Sequence, residues 1–254
     1  MTDIEVTERG AVRTLTINRP HRRNAFTVAA AELLRGEIDR AEADGTGAVV
    51  LTGADGHFSA GGDASDILDV VADQAEDAPA RLMRAFHRLV DTVWTAPLPV
   101  VAAVSGVAYG GAFNLALACD LVICSADARF CQVFLRRGVV PDIGGAYLLP
   151  RLVGMQRAKE LMLLTPEIDA DAAHRLGLVN AVLPDPAAAL THALEVGERL
   201  AAGPRFAIAQ TKKLLNASTD GSLRSALDLE AATQSVLLRS ESVRRGFASY
   251  RSGS

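Results

Sequence analysis

An apolar run that leads through a glycine-rich turn into a possible helix occurs twice in this chain. Residues 48–52 precede the turn Phe-Ser-Ala-Gly-Gly-Asp at 58–63, and residues 100–104 precede a second glycine turn at 106–112. Apolar strands that alternate with helices are typical of parallel sheets covered on both faces. The two turns can also direct two backbone N–H groups at one point, which is how an enzyme holds a developing oxyanion. For one turn alone, close packing of a strand on a helix is the simpler explanation, but two similar turns favour a functional site.

The rest of the chain predicts strands early and helices late. Residues 4–17 have the alternating pattern of a hairpin, and Thr27 can cap a helix. Residues 80–95 predict a helix with an apolar stripe on one side, and residues 121–125 predict a strand. Helices dominate later, at residues 156–164, 169–176, 186–202, 205–216, 222–235 and 241–250. We therefore predict an α/β core over residues 1–200 and a helical region over residues 201–254.

Composition and charge limit the classes of function. The chain has 254 residues, of which 49% are apolar, and a net charge of −4, so nothing in its charge favours a nucleic acid or an anionic membrane as partner. The first residues lack a signal-peptide pattern, and no apolar run reaches membrane-spanning length. Cys119, Cys124 and Cys131 have neither zinc nor disulfide spacing. These features predict a cytoplasmic protein with reduced, buried thiols.

Asp142 is the carboxylate with two open interpretations. It lies in Pro141-Asp142-Ile143-Gly144-Gly145, directly before a possible short helix. Asp is a good N-cap, so a capping role is the simpler interpretation. The other is a proton-transferring carboxylate at the rim of an apolar cavity, whose walls would raise its pKa. Spacing alone does not decide between them; the wall residues would be Tyr109, Phe130, Val133, Phe134 and Tyr147.

Other familiar sites have little support in the sequence. The glycine turns lack the Gly-Lys-Ser/Thr ending of a P-loop and the spacing of a dinucleotide fingerprint. The five histidines show no metal spacing, and Ser59 and Ser105 lack a nucleophile-elbow context. Among the scattered basic pairs, Arg22-Arg23 is the better phosphate candidate, because it follows a proline break.

An ordered set of motifs resembles the crotonase superfamily, also called the enoyl-CoA hydratase/isomerase family, over nearly the whole chain. Each motif is common alone, but their order is highly specific. The set comprises Asn18-Arg19-Pro20 with Asn24-Ala25, the two glycine turns, Cys119-Asp120, Pro141-Asp142-Ile143-Gly144-Gly145, Leu149-Pro150-Arg151, residues 172–179 and a tail helix with Lys212.

The resemblance implies a fold, an assembly and a ligand. The fold is a spiral of ββα units followed by helices that join trimers, often paired into hexamers. The ligand is an acyl-CoA thioester, and no further cofactor or metal is implied. By the family pattern the N–H groups of Gly62 and Gly111 hold the thioester oxygen. The residues expected around the CoA and acyl parts are Arg22, Arg23, Ala25, Ala60, Asp63, Phe134 and Tyr147.

The chain departs from the hydratase pattern at two positions. Hydratase members typically carry two glutamates, matched here by Asn114 and Phe134, which cannot accept and return a proton. Asp142 instead matches a carboxylate of isomerase-type members, most similar to those that act on 1,2-epoxyphenylacetyl-CoA. The resemblance therefore favours a double-bond or ring isomerase with Asp142 as proton shuttle and Asn114 orienting substrate or water. Hydration, acyl-CoA hydrolysis and non-catalytic acyl-CoA binding remain alternatives.

Overall fold

A computed structural model describes residues 2–73 and 75–248 as an α/β structure with a helical C-terminal region. The strands are β1 (Ile4–Arg9), β2 (Val12–Ile17), β3 (Ala48–Gly53), β4 (Val100–Val104), β5 (Val107–Tyr109), β6 (Leu121–Ser125), β7 (Arg129–Cys131), β8 (Glu167–Asp169) and β9 (Ala181–Leu183). The helices are α1 (Val28–Asp44), α2 (Ala64–Ala72), α3 (Ala78–Thr95), α4 (Gly111–Ala118), α5 (Gly145–Val153), α6 (Met155–Leu163), α7 (Ala170–Arg175), α8 (Pro186–Ala201), α9 (Arg205–Ser218), α10 (Leu223–Leu237) and α11 (Glu241–Gly246).

The main sheet has six strands in the order β1-β2-β3-β4-β6-β9. β1 and β2 form the predicted antiparallel hairpin, and every later neighbour pairs in parallel. Both faces are covered, since Val49 and Leu51 of β3 join one apolar cluster while Val50 joins a second cluster with α8. A strand that is buried on both faces needs apolar residues at every position, which explains the continuous run in the sequence.

A second sheet of three short strands, in the order β5-β7-β8, was not predicted. Each of its strands has three residues, too few to show a repeating pattern. β5 lies within the second glycine turn, shortly after β4 ends, so the turn is itself part of this second sheet. It thereby fixes the position at which α4 begins.

Helices surround the two sheets as the apolar stripes predict. The Thr27 hydroxyl caps α1 by accepting from the Ala30 N–H at 3.1 Å, as expected. α2 is the possible helix after the first glycine turn; its apolar residues are largely exposed, so no core stripe marks its bounds in the sequence. Within the described residues, no helix is both long and apolar enough to cross a membrane.

The helical region begins after residues 202–204 and is joined to the core by an ion pair whose lysine is buried. Lys212 Nζ on α9 lies 2.8 Å from Asp120 Oδ2 and donates to the Val93 carbonyl at 2.9 Å. Two motifs far apart in the sequence therefore meet near the start of β4, whose Val100 N–H donates to Asp120 Oδ2 at 2.8 Å. The predicted helix at 241–250 is found as α11 up to Gly246, while residues 249–254 lie outside the described residues.

Candidate active site

The two glycine turns lie side by side, joined by backbone hydrogen bonds. The Phe58 N–H donates to the Ser105 carbonyl at 2.7 Å, and the Ser59 N–H donates to the Val107 carbonyl at 2.9 Å. The Tyr109 N–H returns a bond to the Ser59 carbonyl at 3.1 Å. Parallel neighbours β3 and β4 bring the carboxyl ends of both strands to the same edge, so the turns that follow them are forced together.

Glycine is required where the turns touch. Gly61 has φ +94° and Gly110 has φ +54°, which disfavour other residues. A Cβ atom at Gly61 would lie 2.7 Å from the Tyr109 carbonyl oxygen and 3.4 Å from the Gly111 nitrogen. The first turn therefore approaches the start of α4 closely, and a side chain at Gly61 would push the two turns apart.

Two N–H groups of these turns remain available. The Gly61 N–H donates to Ser59 Oγ, and the Gly110 N–H donates to the Cys131 carbonyl at 2.8 Å. In the described part of the chain, neither the Gly62 N–H nor the Gly111 N–H donates a hydrogen bond. Both glycines line one cavity of about 420 Å³. Gly111 is the first residue of α4, so the helix dipole adds to its N–H.

Asp142 lines the same cavity. Its neighbour Ile143 packs on the second turn, since a Cβ atom at Gly111 would lie 2.5 Å from Ile143 Cδ1. Asp142 is half-buried, and its buried Oδ1 has no hydrogen-bond partner among the described residues. This burial raises the pKa of Asp142 to about 6. The capping interpretation is wrong, because Gly144 is the N-cap of α5 and no side chain caps that helix.

The residues at the two hydratase glutamate positions differ in placement. Phe134 lines the cavity. Asn114 is fully buried and is not a wall residue; its Nδ2 donates to the Asp142 carbonyl oxygen at 2.7 Å. Asn114 Oδ1 accepts from Gln132 Nε2 at 2.8 Å. Gln132 was not a candidate, because it lies eighteen residues further along the chain, directly after β7, and no local pattern predicts its contact with Asn114.

Most of the residues expected near CoA line this cavity. Its walls include Arg22, Ala25, Ala60 and Asp63, whereas Arg23 is not among them. Arg23 contributes its carbonyl oxygen, which accepts from the Ala60 N–H at 2.9 Å. This backbone bond holds Ala60, and with it the first glycine turn, against the loop that contains Arg23.

Asp63 is an ionised carboxylate with structural partners. Its Oδ2 lies 2.6 Å from Arg19 Nη1, and its Oδ1 accepts from the Ser65 N–H at 2.9 Å, so Asp63 also caps α2. Burial alone would raise the pKa of Asp63, but the bonds from Ser65 and Arg19 outweigh it and lower that pKa to about 2. Two carboxylates on one cavity thus have opposite shifts. Of the two, Asp142 is the carboxylate whose pKa lies nearer neutrality.

Tyr147 does not belong to this cavity, so its place among the substrate-binding residues is corrected. It lies on α5 and lines a separate cavity of about 660 Å³ together with Trp94. Its hydroxyl donates to Asp220 Oδ2 at 2.9 Å. The larger volume of that second cavity does not make it the site, since the free N–H groups and Asp142 line the smaller one.

Two other expected wall residues also lie elsewhere. The Tyr109 hydroxyl donates to the Glu167 carboxylate, and Phe130 packs against Phe113 in the core. Further wall residues come from α2, α3, the 3₁₀ turn at Val133–Arg137 and the segment that follows it. They are Ile67, Val70, Pro79, Leu82, Met83, Phe86, Arg137, Val139 and Val140. The α3 stripe was visible in the sequence, but not which of its residues face a cavity.

The described residues contain neither a cluster of metal ligands nor an activated thiol. There, no three or more His, Cys, Asp or Glu side chains group as metal ligands. Cys119, Cys124 and Cys131 are free and buried, as predicted. Burial raises the pKa of the Cys124 thiol to about 12, so it stays protonated and a poor nucleophile.

Comparisons with known proteins agree with this geometry. A family model for enoyl-CoA hydratase/isomerase matches residues 7–252. The chain is 36% identical over 240 residues to 1,2-epoxyphenylacetyl-CoA isomerase of Escherichia coli (strain K12), covering 94% of this chain and 91% of the relative. It is 33% identical over 235 residues to short-chain-enoyl-CoA hydratase of Clostridium acetobutylicum, covering 91% and 87%. The crystal structure of an enoyl-CoA hydratase from Polaromonas sp. JS666 superposes with a TM-score of 0.93 at 32% identity, covering 98% of this chain and 96% of that one.

Proposed function

The chain belongs to the enoyl-CoA hydratase/isomerase family, and on that basis we propose that it is an acyl-CoA isomerase that moves a double bond or opens a strained ring through an enolate. The observation that carries the proposal is the side chain of Asp142, whose buried Oδ1 has no hydrogen-bond partner among the described residues and which shares a cavity with the free N–H groups of Gly62 and Gly111. A base beside an oxyanion site is what a proton shift next to a thioester carbonyl requires.

In the proposed reaction on a 3-enoyl-CoA, Asp142 removes a proton from C2, between the carbonyl and the double bond. The electrons move onto the thioester oxygen, and the N–H groups of Gly62 and Gly111 stabilise the dienolate. The protonated Asp142 then returns the proton at C4, which leaves a 2-enoyl-CoA and an ionised carboxylate. One carboxyl group serves both steps, so no second acid or base is needed. A pKa of about 6 suits a group that must accept and release a proton near neutral pH.

The CoA part is proposed to lie against the wall formed by Arg22, Ala25, Ala60 and Asp63, with Arg23 close by. Arg22 is exposed at the cavity and has no ion-pair partner in the described part of the chain. Its guanidinium is therefore available for a phosphate group. The acyl part is proposed to lie among the apolar side chains of α2 and α3, with Phe134 covering the position of a hydratase glutamate.

Hydration or hydrolysis is the second candidate, favoured by the names of relatives such as the Clostridium acetobutylicum hydratase. In that case Asp142 would activate water or attack the thioester. A non-catalytic acyl-CoA-binding role is the third candidate, and the absence of both glutamates is in its favour. The retention of a carboxyl group with a raised pKa speaks against it.

The assembly is proposed to be a trimer or a pair of trimers built through α9–α11. Several apolar side chains of these helices are exposed in the single chain: Phe206, Leu215, Leu223, Leu227, Val236 and Leu238. Light scattering on the purified protein tests this proposal. A mass of three or six chains is expected, and the mass of one chain contradicts it.

The function is tested with a 3-enoyl-CoA substrate and the Asp142→Ala variant. We expect kcat to fall by about 10²–10⁴-fold, the usual contribution of a general acid–base group. Asp39→Ala is the matched control, because Asp39 is an exposed carboxylate in an i,i+4 pair with Arg35 on α1. Wild-type activity in the Asp142→Ala variant refutes the assignment.

A further inference from the structure

A buried pair of amides lies behind the turn that carries Asp142. Gln132 is 1% exposed and Asn114 is 0% exposed. Gln132 Nε2 donates to Asn114 Oδ1 at 2.8 Å, and Asn114 Nδ2 donates to the Asp142 carbonyl oxygen at 2.7 Å. Gln132 Oε1 has no partner among the described residues, so within them the Gln132 side chain bonds to Asn114 alone. The pair thus forms a chain of donors that ends on the backbone of Asp142.

The Asp142 turn needs such support. Ile143 has φ +49° and Gly144 has φ +75°, and a left-handed conformation is unfavourable for a β-branched residue such as Ile. The Asp142 carbonyl accepts a second bond from the Gly145 N–H at 3.0 Å, which closes the turn. The amide of Asn114 is wedged against this turn, since a Cβ atom at Gly145 would lie 2.3 Å from Asn114 Nδ2.

No side chain among the described residues forms a hydrogen bond with the Asp142 carboxyl group. Its Oδ1 has no hydrogen-bond partner in the described part of the chain. The direction in which the carboxyl points is therefore decided by where the backbone of Asp142 sits. Small displacements matter here, because a misplacement of about 1 Å can reduce a rate by about 10²-fold.

We propose that Asn114 and Gln132 are positioning residues that fix the Asp142 backbone and so aim its carboxyl group at the substrate above the oxyanion site. The inference rests on the proposed function of Asp142. It gives Asn114 a role behind the cavity wall, in place of direct contact with substrate or water. Gln132 acts only through Asn114, and this order of action distinguishes positioning from ordinary core stability.

The test is a double-mutant cycle with 3-enoyl-CoA. Asn114→Leu and Gln132→Met keep approximate volume and remove the hydrogen bonds. We expect kcat to fall by about 10–100-fold for Asn114→Leu and by less for Gln132→Met, with KM changed by less than threefold. Because Gln132 acts through Asn114, the double variant should match Asn114→Leu within about twofold instead of multiplying the losses.

Thr52→Val is the matched control. The Thr52 hydroxyl is a buried donor on β3 that bonds to the Ala103 carbonyl at 3.0 Å, away from the cavity walls. The Thr52→Val variant should lose a similar part of its free energy of unfolding, about 1 kcal/mol for one hydrogen bond, and keep its kcat. Melting temperature and far-UV circular dichroism show whether each variant is folded. If Asn114→Leu does not fold, the kcat and pH profile of Gln132→Met provide the test.

The pH profile gives a second readout. If the Asp142 carboxyl turns away from its apolar surroundings, its pKa falls from about 6 towards the ordinary 3.8, and the acid limb of kcat/KM moves to lower pH. The charged wall residues Arg22, Asp63 and Arg137 are unchanged in these variants. Folded variants with wild-type kcat and an unmoved acid limb overturn the inference, as do multiplicative losses in the double variant. If Asp142→Ala is itself fully active, it is the proposed function that fails.

Discussion

The glycine turns and the Asp142 turn face one cavity, and both backbones are held by hydrogen bonds, but the Asp142 side chain is bound less than the glycine turns. Around Gly61 and Gly110, backbone bonds to Ser59, Ser105 and Cys131 fix the chain on every side. The segment that leads to Asp142 is exposed, with Val140 at 74%, and the buried Asp142 Oδ1 has no partner in the described residues.

The proposed reaction requires both kinds of group. An oxyanion site works through fixed dipoles that need no reorganisation during the reaction. A proton shuttle must reach two carbon atoms and change its protonation state, so tight hydrogen bonds to its carboxylate would hinder it. Ile143 connects the two regions, because it follows Asp142 and packs against Gly111.

Among variants that keep Asp142, the largest effect is expected from breaking the glycine turns with Gly61→Ala. The new Cβ would lie 2.7 Å from the Tyr109 carbonyl oxygen, and φ +94° disfavours alanine. The turns must separate, so we expect kcat/KM to fall by about 10²–10³-fold, the cost of one oxyanion donor. Gly36→Ala on α1 is the control, since its Cβ meets nothing within 4 Å. That variant should be fully active and more stable by about 0.5–1 kcal/mol.

A smaller effect is expected when the contact between the two regions is weakened with Ile143→Val. The change removes Cδ1, the atom that packs on Gly111. We expect kcat to fall by about threefold to tenfold through a shifted Asp142, and the free energy of unfolding by about 0.5–1.5 kcal/mol. Ile38→Val on α1 is equally buried, at 2% exposed, and should lose the same stability without losing kcat. Equal kcat in both variants would show that Ile143 does not couple the regions.

The smallest effect separates the two carboxylates by pH. The folded-state pKa of Asp142 is raised to about 6, so the folded protein binds more protons than the unfolded chain between about pH 4 and 6. The stability of the wild type relative to Asp142→Asn should therefore decrease as pH rises through that window. Asp63 has its pKa lowered to about 2, so its contribution is present above about pH 4 and lost as pH falls towards 2. Melting temperatures of wild type, Asp142→Asn and Asp63→Asn from about pH 2 to 8 measure both contributions, and parallel curves for Asp142→Asn and wild type contradict the raised pKa.

The sequence predicted the parts of the site that local pattern determines. Continuous apolar runs indicated parallel buried strands, and parallel strands end at one edge, so the meeting of the two glycine turns followed from sequence. Asp142 was recognised as a candidate, but not its freedom from a capping bond, which depends on Gly144 taking the N-cap position.

The remaining errors come from long-range packing. Tyr147 is only five residues from Asp142, yet α5 directs it towards Asp220 and away from the cavity. Gln132 meets Asn114 across separate elements, and no periodic pattern records that contact. The strands β5, β7 and β8 have three residues each. Such short strands show no periodic pattern in the sequence, and they are stable only when packed together as a sheet.

Isotope labelling tests the central claim, a proton shift without addition of water, most directly. The wild-type protein is incubated with 3-enoyl-CoA in H₂¹⁸O, and the mass of the product is measured. We predict a 2-enoyl-CoA without ¹⁸O, formed much more slowly by Asp142→Ala. Incorporation of ¹⁸O into a hydroxyacyl-CoA or a free acid would contradict the isomerase assignment and favour hydration or hydrolysis.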